Sequence, residues 1–395
     1  MKPLAVTGIG VVSPLGIGWE AFRAHVGAED AATFTERPTA FTHPLHPALR
    51  VAEVRDFDPK PFVGDKGLRN NDRITKLSLV AARLCLEHAG LKRDGAFGAL
   101  GADDIGVVAS TAYGSTEAIA EANRVAKVED PRYLNPARFP NTVINSAFGY
   151  VSIWEDLRAL NVTVTNGTTG PLDAVFCAGM YLDAGRAKAI VAGGTDAASE
   201  LLWESLLRIE ALDHAPETWG PGRVASTGLR LGEGSALLAI EPADAARARG
   251  AKVWAEVLGY GSHFEVLEDR RRLVAPSEGA LTQAICDALD DAGITASQVD
   301  LVASGLSGHH ALDATELKAV AAAIGDVPIA APKHRLGETF GAAGALAVAE
   351  AAAWFDGAPV RDMAFGSAPS TVRTVLITAL GFYGNASALV VRRPE

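Results

Sequence analysis

Between Val162 and Gly170 the chain reads Val-Thr-Val-Thr-Asn-Gly-Thr-Thr-Gly, a β-branched, strand-like run broken by a tight polar turn. From Pro171 to Arg186 the residues are mostly apolar and read as a helix. A strand-to-helix turn of this kind projects one side chain from the carboxyl edge of a sheet. It does so in front of a helix N-terminus, whose dipole favours a thiolate or an oxyanion. Nucleophilic enzymes use that geometry. Here the projecting residue is Gly167, which accepts the tight backbone but carries nothing with which to attack.

Two hydroxyls follow, Thr168 and Thr169, but no histidine base adjoins them, and they read as helix-capping and packing groups. His309 and His310 precede Asp313 in what reads as a loop. A metal site needs further ligands that no spacing supplies, so both read as surface histidines. Cys85, Cys177 and Cys286 have no CxxC spacing and lie in helix-like apolar segments, as buried reduced thiols do. No metal and no cofactor is expected.

The elements that must position these residues alternate between strand and helix patterns. In the first part of the chain strands are predicted near Leu4, over Ile105–Ala109, Val162–Thr165, Ala189–Ala192 and Ser235–Glu241, with helical stretches at Trp19–Val26, Leu77–Ala89 and Thr116–Val125. The charged, Ala/Gly-rich stretch Glu241–Lys252 is the best junction, dividing the chain into residues 1–245 and 246–395. The second part starts again with a strand, Val253–Leu258, and a helix, Gly279–Ala292. Strands at Leu301–Ala303, Pro328–Ala331, Thr374–Ala379 and Ala386–Val391 then alternate with helices at Ala314–Ile324 and Ala342–Phe355. Such alternation predicts layered sheets covered by helices, in two halves of domain size that make a pseudo-duplicated α/β fold.

With 395 residues, 48% hydrophobic and 21% charged, the chain has the composition of an ordinary globular protein. Its net charge of −11 argues against nucleic acid, and the basic run Asp269–Arg272 is too short to offset it. No apolar run approaches the roughly 18 residues of a membrane span, and no secretory signal pattern opens the chain. A cytoplasmic location is expected, without membrane or nucleic-acid contact.

An ordered set of landmarks carries a resemblance. Thr7-Gly-Ile-Gly-Val-Val-Ser-Pro-Leu-Gly16, Asp56-Phe-Asp58, Asn71-Asp-Arg73, Pro140-Asn141, Ala192-Gly-Gly194, Leu231-Gly-Glu-Gly234 and Gly341-Ala-Ala-Gly344 resemble the elongating type of β-ketoacyl synthase. They span essentially the whole chain. The resemblance implies a five-layered α-β-α-β-α thiolase-like fold and dimerisation through the first half. The activity it implies is condensation of an acyl chain with a malonyl unit on acyl carrier protein. That chemistry needs a cysteine and two histidines.

On this resemblance all three positions are altered. The cysteine of a Thr-x-Cys-x-Thr/Ser-Gly pattern becomes Gly167, and the first histidine becomes Gly305, or Ser304 if the loop has slipped by one. The second histidine becomes Glu338 within Lys333-His-Arg-Leu-Gly-Glu-Thr-Phe-Gly341. Glu316 and Lys333 resemble a buried support pair that remains. Phe382 belongs to the altered loop Leu380-Gly-Phe-Tyr-Gly384 that frames the oxyanion hole in the family. Loss of the nucleophile removes covalent catalysis, and a carboxylate would repel a malonyl group.

The resemblance is most specific to chain length factors, the cysteine-less subunits that pair with an active ketosynthase in type II polyketide and aryl polyene pathways. The implied partners are that active ketosynthase, acyl carrier protein acting through the complex, and the acyl or polyketide chain. Tyr113, Phe139 and Ile144 are tunnel-gate residues on this reading, or ordinary core on the plainer one. Phe148, Tyr150 and Trp154 are either interface aromatics or a local cluster within the subunit. Three other roles compete: a scaffold or acyl-binding homodimer, a decarboxylating priming subunit, and an enzyme with Glu338 as base. Priming subunits carry a hydrogen-bonding glutamine where this chain has Gly167.

Overall fold

The computed structural model describes residues 2–29, 33–37, 49–266 and 273–395; the basic run 269–272 lies outside them. Five strands build the first half: β1 (Leu4–Ser13), β2 (Ile105–Ser110), β3 (Asn161–Val164), β4 (Ala189–Asp196) and β5 (Gly234–Pro242). Five more build the second: β6 (Ala255–Phe264), β7 (Leu301–Ala303), β8 (Ile329–Ala330), β9 (Thr374–Leu380) and β10 (Asn385–Arg392). The spatial orders are β3-β2-β4-β5-β1 and β8-β7-β9-β10-β6, one pattern used twice. Directions repeat as well. In each half the first, fifth and fourth strands pair antiparallel in turn, and the fourth, second and third pair parallel.

The two halves share backbone. Leu4–Val6 of β1 pairs antiparallel with Ala255–Val257 of β6, so hydrogen bonding runs unbroken through a sheet of twelve strands, the ten above and the short edge pieces Gly16–Ile17 and Met363–Phe365. Helices complete the layers. On the outer face of the first half lie α1 (Arg73–His88) and α2 (Ser146–Glu155). In the middle lie α3 (Gly170–Asp183) and α6 (Ala343–Phe355), and on the other outer face α4 (Glu278–Ala292) and α5 (His310–Ile324). The middle helices are apolar nearly all round, as helices buried on both sides must be; every residue of α6 from Gly344 to Phe355 is buried. The result is the α-β-α-β-α thiolase-like arrangement.

One local device appears in both halves. Gly8-Ile9-Gly10 in β1 and Gly259-Tyr260-Gly261 in β6 each follow a register shift, and each lets a helix lie directly on strand backbone. A Cβ at Gly10 would sit 1.9 Å from the Ala81 carbonyl of α1, and one at Gly261 would sit 2.0 Å from the Ala284 carbonyl of α4. Larger residues would force these helices off the sheet.

Burial corrects part of the expectation. Phe148 is 0% exposed inside its own subunit, packed with α1, and Tyr150 and Trp154 pack against the same cluster. The Trp154 indole donates to the Val63 carbonyl at 3.3 Å. Phe148 therefore has no surface to offer a partner, while Tyr150 and Trp154 stay half-buried at the side of that cluster. Cys85 is buried, whereas Cys177 and Cys286 are half-buried.

Candidate functional site

Strand β3 ends at Val164, a single 3₁₀ turn spans Gly167–Thr169, and α3 starts at Gly170. Gly167 has φ 65°, and a Cβ placed on it would meet nothing within 4 Å. The turn is therefore shaped to project a side chain into open space while carrying none. Its form is held from below by Asp173. One Asp173 oxygen accepts from Asn166 Nδ2 (2.8 Å) and Thr169 Oγ1 (3.1 Å), and the other from Tyr260 Oη (2.7 Å) and Ser387 Oγ (2.6 Å). The second half adds a clamp: Thr168 Oγ1 donates to the Leu380 carbonyl at 2.9 Å, and Asn385 Nδ2 donates to the Asn166 carbonyl at 3.1 Å. Both threonine hydroxyls are spent as donors inside the fold, Thr168 to Leu380 and Thr169 to Asp173 and the Asn166 carbonyl at 3.0 Å, and neither caps α3 as the sequence suggested.

On the other side stand the loops that follow β7 and β8. The Gly305 N–H donates to Glu316 Oε1 at 2.7 Å, and its carbonyl accepts from Lys333 Nζ at 2.9 Å. Ser304 Oγ donates to the Ala330 carbonyl, tying β7 to β8. Glu316 also accepts from Thr378 Oγ1 at 2.5 Å, and burial pushes its carboxyl up to about 7. Lys333 ion-pairs at 2.6 Å with Glu338, so the supporting pair is Lys333–Glu338 and not Glu316–Lys333. The second Glu338 oxygen accepts the Phe340 N–H at 2.8 Å. With both oxygens engaged and 1% exposure, Glu338 is not poised as a free base.

A second turn, Phe340–Ala342, leads into α6 as Gly167–Thr169 leads into α3, and the two turns touch. The Phe340 ring lies edge-on to Tyr113 (5.0 Å between centroids) and to Phe382 (6.1 Å). Asp196, at the end of β4, joins these parts. It accepts from Thr111 Oγ1 (2.6 Å), Ala112 N (2.8 Å), Tyr113 N (3.3 Å) and Gly341 N (2.7 Å). Burial raises its carboxyl to about 6 despite these donors.

The turn glycine, Gly305, Glu316, Lys333, Glu338 and Phe382 thus converge from both halves. Tyr113 reaches them, 37% exposed, with its phenol raised by burial. Ile144 lies against Gly114 and is 45% exposed, while Phe139 is 72% exposed and stands apart. Neither is ordinary core. His310 is exposed, but His309 is half-buried, with a buried Nδ1 that meets no hydrogen-bond partner. Sequence reasoning missed Asp173, Asp196 and Phe340. A lone acid closing the apolar strand Ala189–Asp196 was the available signal for Asp196; nothing marked Phe340.

At the turn itself no side chain is available to form an acyl-enzyme. What the site offers is an apolar, aromatic-walled junction over a rigid hydrogen-bonded base.

Comparison with known proteins places this geometry. The model of the β-ketoacyl synthase N-terminal domain matches residues 1–246, and that of the C-terminal domain matches 254–357. A 3-oxoacyl-[acyl-carrier-protein] synthase 2 of Coxiella burnetii is 29% identical over 361 residues, 87% of this chain and 84% of that one. The enzyme of the same name from Rhizobium meliloti is 29% identical over 440 residues, 100% and 99% of the two chains. Among solved structures, a chain of the ishigamide ketosynthase/chain length factor superposes with a TM-score of 0.87 at 26% identity, over 100% of both chains. Among the described residues no helix is long and apolar enough to cross a membrane. On the match of its sequence to both domains and of its fold to solved members, this chain belongs to the β-ketoacyl synthase family.

Proposed function

We propose that this chain is a ketosynthase-fold subunit without condensing activity of its own, which pairs with an active ketosynthase and shapes its acyl tunnel. One observation carries the reading: Gly167 presents an open, correctly built turn with no nucleophile, beside a Glu338 carboxylate already spent on Lys333. Without a thiol no acyl-enzyme forms, and without imidazoles the developing charges of decarboxylation and condensation go unstabilised. The relatives named as synthases differ from this reading in activity, and the difference is assigned to Gly167, Gly305 and Glu338. Residues 1–245 supply the pairing half, and residues 246–395 carry the two altered loops.

A partner surface supports the reading. The outer edge of β3 ends the sheet, and the segment preceding α2 in the chain exposes Val128, Tyr133, Leu134 and Phe139. Acyl carrier protein is met through the complex, in the cytoplasm, and the substrate is an acyl or polyketide chain. Co-expression with a ketosynthase that keeps Cys-His-His is expected to give a one-to-one complex, while the purified chain alone turns over no acyl or malonyl thioester. Condensation by the chain alone would sink the proposal, and a stable homodimer that ignores the ketosynthase would favour a scaffold role.

A further inference from the structure

Left-handed backbone is uncommon outside glycine, and for a bulky buried residue it is an outlier that the surroundings must enforce. Among the described residues Asp56, Asp94, Asp156, Glu210 and Phe340 have positive φ without being glycine. The four acidic residues are exposed. Phe340, at φ 43°, is 2% exposed.

Its conformation is clamped on both sides. Before it, Glu338 takes the Phe340 N–H and is itself fixed by Lys333. After it, the Gly341 N–H is held by Asp196, and a Cβ at Gly341 would lie 2.6 Å from the Ala112 nitrogen. Two buried carboxylates therefore force the ring between Tyr113 and Phe382, next to the open Gly167 turn. A phenyl ring can fill a core from unstrained backbone, so the strain points to its position as the feature retained.

We propose that Phe340 is a plug: its ring occupies the apolar space beside the Gly167 turn and keeps unbranched acyl chains out of this subunit. The inference rests on the reading above, in which chain growth belongs to a partner. The ligand class is a linear, medium-length, uncharged acyl group, because the walls are aromatic and the nearest cation among the described residues, Lys333, is spent on Glu338 and the Gly305 carbonyl.

The test uses the isolated full chain with the uncharged thioester S-decanoyl-N-acetylcysteamine as probe, followed by calorimetric titration. The unmodified chain is expected to show no saturable binding, and Phe340→Gly to bind at least tenfold more tightly. Phe340→Leu, which keeps most of the packing, should fall between them if the glycine variant folds poorly. Thermal melts add a second reading: Phe340→Gly should melt above Phe340→Ala, the reverse of their usual order, because only glycine relieves the left-handed backbone. Equal binding by the unmodified chain and both variants, or an alanine variant as stable as the glycine one, would overturn the plug. Pairing with a ketosynthase is measured separately, so a failed complex breaks the functional reading while the binding result still judges Phe340.

Discussion

The two halves meet at the middle of the molecule in the same device, a three-residue turn that opens a buried helix, and then differ. At Gly167 the left-handed position is a glycine facing open space; at Phe340 it is a phenylalanine wedged between two aromatic rings. The helices behind them differ in the same manner. Asp173 in α3 has donors on both oxygens, whereas Glu350 in α6 is buried with an Oε1 that meets no donor. Duplication preserved the path of the chain, and chemistry was distributed unevenly along it.

That contrast can be broken most sharply at the support of the second turn. Lys333→Met leaves Glu338 buried and unpaired, and should lower stability by about 3–5 kcal/mol in denaturant titrations. Adding Glu338→Gln should recover most of the loss; no recovery would mean that Lys333 acts through Gly305 instead. A smaller effect is expected at the first turn. Gly167→Cys has room but takes on left-handed strain, so it should cost about 1–2 kcal/mol. Its thiol should alkylate readily with iodoacetamide, and no condensation should appear. A thiol that resists alkylation would contradict the open turn.

The smallest effect concerns Glu350. Burial pushes Glu350 up to about 8 from an ordinary 4.5, with Asp362 adding to the rise and Arg335 opposing it. The folded chain therefore holds this proton more tightly than the unfolded one. Stability from this group is fullest below about pH 4.5 and falls as pH rises towards 8. Glu350→Gln removes that slope, so its melting temperature should gain on the parent between about pH 5 and pH 8. A constant difference across that range would show that Glu350 is already satisfied.

Much of this architecture was legible in the sequence because its strands are continuous apolar runs bounded by turn residues. Leu301–Ala303 is found where expected, and the predicted helix at Gly279 begins one residue earlier, at Glu278. The Gly167 turn was legible for the same reason. What stayed hidden depends on contacts distant in sequence. Nothing local says whether Lys333 will choose Glu316 or Glu338, since both lie within its reach in the fold. Phe148 lies in an aromatic cluster whose burial depends on α1, some seventy residues earlier. Phe340 hid because its φ is imposed by Asp196 and Glu338, and a phenylalanine gives no hint of left-handed backbone.

The pairing of β1 with β6 has a consequence for how such a protein can lose a reaction and keep its form. Because the Trp254 backbone N–H donates to the Val6 carbonyl and Leu4–Val6 pairs with Ala255–Val257 across this seam, neither half can melt without exposing the other's backbone. Unfolding is then expected as one cooperative event, with no stable single half. Removing a reactive side chain at the centre leaves those shared bonds untouched. The fold can therefore outlive its chemistry and be kept for its contours.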